Sequence, residues 1–183
     1  MGRLTQRVLT AAAATTAAVA LSAVSAFASP IAGQNVEDVV AYDISTGSAL
    51  FCTSSTLAGD APSAPGPLFV IDAASFSSPG EVNDWCLANG SIPTQVVATN
   101  LPWVFTAGSP LGELAGVSLT LHMPSVPCTA TITSPGDVSG TYTSGPPNIL
   151  NLNDDDLEVS NSSCPFLFAQ GDDFRFVAQY EIS

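Results

Sequence analysis

The sequence contains no lysine. Schiff-base chemistry and every other role that needs an ε-amine are therefore excluded. Arginine is nearly as scarce: Arg3, Arg7 and Arg175 are the only three in 183 residues. Nucleic-acid binding rests on clustered Lys/Arg that neutralise phosphates, and no cluster exists, so no nucleic-acid partner is expected. Histidine occurs once, at His122. There is no G-x-S-x-G turn to carry an activated serine, so a Ser-His-Asp hydrolase lacks its usual frame. There is no C-x2-C pair, the usual unit of a zinc cluster. No long apolar run follows residue 28, so no membrane insertion is expected after that point.

What is present begins with an export signal. Arg3 and Arg7 make a short positive region, and an alanine-rich apolar stretch runs from Val8 to Leu21. At about 14 residues it is too short to span a bilayer, which needs about 20. Ala26-Phe27-Ala28 supplies the small-x-small cleavage pattern, with Ser29-Pro30 beyond it. Residues 1–28 therefore read as a secretory signal peptide, and 29–183 as a single mature β domain, secreted to the cell exterior. The high Ala/Thr/Ser/Gly/Pro content points to a bacterial, high-GC source. All 16 acids lie after the cleavage site, and Arg175 is the one base besides His122, so the mature formal charge is −15. Such a surface is repelled by anionic membranes.

Four cysteines remain: Cys52, Cys86, Cys128 and Cys164. An even count in an exported chain reads as two disulfides. Three pairings are open; the nearly equal spacings favour Cys52–Cys86 with Cys128–Cys164. Each would close a loop of about 35 residues and contribute roughly 3–4 kcal/mol through the unfolded chain's lost entropy.

Hydrophobic period two dominates. Phe174, Phe176, Ala178, Tyr180 and Ile182 alternate with Arg175, Val177, Gln179 and Glu181. Cys128 to Thr133 and Ser118 to Met123 alternate in the same way, as half-buried antiparallel strands do. Val138 to Thr143 is short and β-branched. Leu150 and Leu152, then Asp154-Asp155-Asp156, then Leu157 and Val159 read as a hairpin with an acidic turn. Val36 to Ile44, Leu50 to Cys52, Leu68 to Ile71, Val96 to Ala98 and Trp103 to Thr106 are further strand candidates. Pro102 marks an edge or bend. Asp60 to Pro67 reads as a loop, and Glu81 to Leu87 as a short helix. Strands every 8–12 residues with turns between them predict an all-β fold, an antiparallel β-sandwich or Greek-key barrel with two disulfides.

Few residues have the makings of a site. Alternation puts His122 on the polar face of its strand, where it is a solvated residue. Any two of the 16 acids could form a glycosidase pair, so that pattern discriminates nothing. Asn153, Asp154, Asp155 and Asp156 form the densest oxygen-donor group and are the candidate metal ligands, for Ca2+, with Asp172-Asp173 as further donors if the two segments approach. Their spacing does not match an EF-hand loop. Trp85 and Trp103 could stack on a sugar, but Trp85 adjoins Cys86 and Trp103 precedes Val104-Phe105, which places both in the core. Asn89-Gly90-Ser91 and Asn161-Ser162-Ser163 match the glycosylation sequon by chance.

The run Pro102-Trp103-Val104-Phe105, Gly112 to Gly116 and Val126-Pro127-Cys128-Thr129-Ala130-Thr131-Ile132 opens a longer pattern. Gly140-Thr141-Tyr142-Thr143, the paired leucines, Cys164-Pro165-Phe166-Leu167, Gly171-Asp172 and Phe176 to Tyr180 complete it. This order resembles a group of small secreted actinobacterial all-β proteins with four cysteines and no known activity. Pro165-Phe166 stands where that group has a small residue and glycine. The resemblance implies secretion, an all-β fold and two disulfides; it implies nothing about activity.

Together these features predict a secreted, non-enzymatic, disulfide-stabilised β domain with a structural or interaction role, no catalytic residues and no resident cofactor. Its expected partner is an extracellular protein or cell-wall polymer. The alternatives are a glycan- or Ca2+-binding module, and a hydrolase or a protease inhibitor that presents the Asp60–Pro67 loop. That loop has neither Lys nor Arg, which a trypsin-like protease would require.

Overall fold

The structure is a computed structural model that describes residues 28–63 and 66–183. The segment expected to be a signal peptide, residues 1–28, lies outside the described residues except for Ala28. Fourteen strands follow in order. β1 (Ser29–Asn35) continues past a short break as β2 (Val39–Asp43). β3 (Ala49–Cys52) and β4 (Ser54–Ala61) run back beside them. β5 (Phe69–Ser77) is followed by β6 (Cys86–Ala88), then β7 (Ile92–Thr99) by β8 (Trp103–Thr106). β9 (Gly112–Ala115) leads into β10 (Ser118–Met123), and β11 (Cys128–Thr133) into β12 (Val138–Thr143). β13 (Asn148–Ser162) and β14 (Asp173–Ile182) are long and unbroken.

The registers show that each successive pair among the first twelve is one strand with a break. Ser29 faces Ala61 and Gln34 faces Thr56; further along the same ladder, Val39 faces Cys52 and Tyr42 faces Ala49. The six broken strands plus β13 and β14 make eight walls. Each wall pairs antiparallel with the wall before and after it. β14 returns to both β1 and β2, so the sheet closes. The all-β, antiparallel, two-disulfide expectation holds. The connectivity is a next-neighbour meander, with no Greek-key crossover among the described strands.

Three sequence expectations are corrected. The acidic run is not a hairpin turn. It is a register shift between Asp154 and Leu157 within β13, whose two ends pair with β12 and β11. An extra residue is accommodated by a bulge without reversing the chain. Around Glu81–Leu87 there is only a 3-10 turn at Val82–Asp84, and Cys86 already belongs to β6. Asn83 and Asp84 there have positive φ, which ends any helical continuation. The loop after β4 is also shorter than predicted, because Asp60 and Ala61 still pair with β1.

The interior is filled. Tyr180, Phe105, Phe168, Phe174, Ile71, Leu114, Leu121, Met123, Ile132, Leu150 and Leu157 are among the fully buried side chains. Each contributes roughly 1.5–3 kcal/mol by leaving water. An eight-stranded barrel is just wide enough either to pack with side chains or to hold one small ligand; this one packs. At the end bearing Ser29 and Ser183, Phe69 meets Phe105 at 6.0 Å and Tyr142 at 4.9 Å. Room for the Phe105 ring depends on glycine: a Cβ on Gly112 would lie 2.5 Å from Phe105 Cζ. At the opposite, hairpin end, Phe168 plugs the barrel 5.4 Å from Phe174.

Both disulfides are in the expected pairing. Cys52–Cys86 joins two neighbouring walls beside the out-looping residues 78–85, with a Cα–Cα distance of 4.6 Å. Cys128–Cys164, at 5.4 Å, ties the start of β11 to the loop that supplies Phe168.

Candidate functional site

His122 lies on the outer wall, opposite Thr129 of β11 and Gln95 of β7. Its Nδ1 is 3.2 Å from Thr129 Oγ1. Its surroundings are hydroxyl and amide groups of a solvated β face.

Three of the four candidate side chains are already engaged in local structure. Asp154 is buried; its Oδ2 accepts the Ser139 N–H at 2.6 Å and its Oδ1 the Asp156 N–H at 2.6 Å. It therefore satisfies two backbone donors that the bulge frees from the ladder. Asn153 Oδ1 accepts from Arg175 Nε at 3.2 Å, and Asp155 forms an ion pair with the same nitrogen at 3.2 Å. Asp156 is exposed. With Leu111 these residues edge an open depression of about 430 Å³. No group of three or more His, Cys, Asp or Glu among the described residues is arranged to hold a metal.

Trp103 is buried and donates its indole N–H to Thr99 O at 3.0 Å, so its faces are not open to a sugar. Trp85 is half-buried beside its disulfide. Asn89 is occupied in the β6–β7 turn, where its Oδ1 accepts the Ala49 N–H.

The outer wall offers a surface that period-two reasoning did not single out. Val177 of β14 faces Val40 of β2, Val40 faces Phe51 of β3, Phe51 faces Leu87 of β6, and Leu87 faces Pro93 of β7. Their chain neighbours Val39, Ala41, Leu50, Cys52, Cys86 and Ala88 fill the core, so this row points outward. Phe51 is 37% exposed. On the same side of the barrel, Ala32, Gln34, Thr56, Ala58 and Glu181 line a shallow groove of about 490 Å³. Val36, itself exposed, lies in the break between β1 and β2 and also lines it. The signal was readable only across strands: each residue alone is an ordinary surface apolar residue, and the register lines them up.

One buried acid also escaped notice. Asp43 closes β2 and has no exposed surface. Its Oδ1 accepts the Ser45 and Thr46 N–H groups at 2.7 and 2.8 Å, an Asx turn that starts the β2–β3 hairpin. Its Oδ2 is buried without a hydrogen-bond partner. The neighbouring carboxyl is that of Asp172, from the loop before β14. Asp172 Oδ2 accepts the Ala169 N–H at 2.9 Å. Burial, with the facing Asp43 carboxyl and the charge of Asp173, holds the Asp172 carboxyl above the usual carboxylate range despite that Ala169 bond. Asp172 thus turns toward Asp43. The sequence D-I-S-T-G is a turn signal and conceals this second role.

Comparison with known protein families, curated proteins and solved structures finds no match to this chain.

Proposed function

We propose that the chain is an exported, non-enzymatic barrel with a structural or interaction role at the cell exterior, acting through its outer face on an extracellular protein or cell-wall polymer. The observation that supports this most is the filled interior: a barrel packed to both ends leaves its function to its exterior. Apolar residues point in and Thr, Ser, Gln and Asn mostly point out, the reverse of a membrane-spanning barrel. No helix among the described residues is long and apolar enough to cross a membrane. The apolar row from Val177 to Pro93 and the adjoining groove are the surface we assign to contact. Two disulfides in a lysine-free acidic chain suit an oxidising exterior.

The test is a panel of protease, esterase and glycosidase substrates with the purified mature protein. No turnover is expected on any of them. Turnover that disappears in His122→Ala would overturn the reading and install His122 as a catalytic base.

A further inference from the structure

Asp43 and Asp172 pose an electrostatic problem that the chain's own side chains do not solve. Asp43 is wholly buried, and its Oδ1 already accepts two backbone N–H groups. Its Oδ2 has no donor, and the Asp172 carboxyl faces it. Two facing carboxylates repel unless a proton or a cation lies between them. No lysine exists to fill that role. The one arginine of the mature chain, Arg175, is held on the outer wall by Asn153 and Asp155.

The two segments that bring the acids together are locked. Ile44 N–H donates to Asp173 O at 2.9 Å, and Thr46 Oγ1 donates to Leu167 O at 3.4 Å. Val159 and Asp172 share a further backbone bond at 3.0 Å, and Cys164 anchors the same loop to β11. The acids therefore cannot separate without opening the hairpin end. Asp172 Oδ2 is committed to Ala169, which leaves Oδ1 of Asp172 and Oδ2 of Asp43 as free oxygens. Hard carboxylate oxygens without nitrogen or sulfur suit a hard cation.

We propose that Asp43 and Asp172 bind one divalent cation of the calcium class at the hairpin end of the barrel, clamping the β2–β3 hairpin to the loop before β14. Asp172 is half-exposed, so water completes the coordination shell on its outer side. This site is distinct from the Asn153–Asp156 run, whose buried carboxylate is spent on backbone donors.

The experiment is thermal melting of the purified mature protein at neutral pH, after chelator treatment, with millimolar CaCl2 against NaCl of equal ionic strength. Calorimetry with CaCl2 gives the stoichiometry. The expected result is one saturable equivalent of Ca2+ per chain. The melting midpoint should rise by roughly 5–10 °C once Ca2+ reaches about 100 times its dissociation constant. Asp172→Asn keeps an acceptor for Ala169, should fold, and should lose the rise. Asp43→Asn keeps its turn acceptor and serves as the second variant, with the same loss. Asp155→Asn should keep the full rise. Equal midpoints in the two salts would sink the proposal, and so would a rise that survives Asp172→Asn. A rise abolished by Asp155→Asn would move the cation to the acidic strand and overturn this site. Stability that climbs on acidification without any response to Ca2+ would show that Asp43 and Asp172 share a proton instead.

Discussion

Tyr180 of β14 and Ser55 of β4 meet inside the barrel, with Oη and Oγ 2.9 Å apart. The contact passes beneath β1, which lies between their strands. Ser55 Oγ also donates to Ser75 O at 2.8 Å, so the hydroxyl pair is tied to β5. Burial holds the Tyr180 hydroxyl well above the ordinary tyrosine value of 10.0, and the Ser55 bond opposes that only in part. The unfolded chain loses this proton near pH 10 while the folded chain keeps it. Stability from this group is therefore intact below pH 10 and falls as pH rises beyond it. Denaturant midpoints measured across that range should bend downward. Tyr180→Phe should cost about 1 kcal/mol at neutral pH and bend less steeply. An equally steep fall in the variant would remove Tyr180 from the explanation.

Gly112 and Gly140 leave the space that Phe105 occupies. A Cβ on Gly140 would lie 2.7 Å from Asn151 O, and one on Gly112 would lie 2.5 Å from the Phe105 ring. Gly112→Ala and Gly140→Ala should each destabilise by about 1–3 kcal/mol through overpacking. Gly136, where an added Cβ would meet nothing within 4 Å, is the control, and Gly136→Ala should change stability by less than about 0.5 kcal/mol. Urea unfolding of the three variants makes the comparison.

Asp154 and Asp156 are two residues apart and should behave differently. Asp154→Ala strands the Ser139 and Asp156 N–H groups and should cost about 2 kcal/mol. Asp156→Ala removes an exposed side chain and should stay within about 0.5 kcal/mol. Equal losses would mean that the bulge does not depend on the buried carboxylate.

The outward row through Phe51 predicts an adhesive patch. A neutral apolar dye should bind the native barrel, and Phe51→Ser should reduce that binding several-fold. The variant's stability should remain within about 1 kcal/mol, since the residue is partly exposed. Unchanged dye binding would remove this row as the contact surface.

The sequence made some of this legible and concealed the rest for physical reasons. β10, β11 and β14 were readable because each buries one face completely, so the period-two pattern is unbroken in Leu119-x-Leu121-x-Met123 and Phe174-x-Phe176. β1, β4 and β9 were not, because a packed barrel narrows its walls with Ala, Gly and Ser, and these residues have little hydrophobic contrast. At Gly33, for example, Ile182 Cδ1 would lie 2.9 Å from an added Cβ. The acids 154–156 looked like a turn because three consecutive charges usually lie at a hairpin tip. Here the middle of a long strand absorbs them, since Asp154 replaces ladder bonds with its own oxygens. The near-equal spacings favoured the observed cysteine pairing without excluding the other two, whereas the Asp43–Asp172 pair depends on a contact between segments far apart in sequence that only the closed barrel creates.

Cross-linking carries a measurable share of stability. Replacing Cys52 and Cys86 by alanine, or Cys128 and Cys164, should each lose roughly 3–4 kcal/mol. The second pair should also loosen the Phe168 plug, which protease digestion near Phe166 would report. Phe166 is 68% exposed and two residues from the buried ring of Phe168.

Peptide mapping of the protein from its native source, without reduction, tests the central claim, an exported barrel locked by two sulfur bridges. The account predicts a chain beginning at Ser29, with one linked peptide pair joining Cys52 to Cys86 and another joining Cys128 to Cys164. A chain intact from Met1 inside the cell, with all four thiols free in the folded protein, would contradict it.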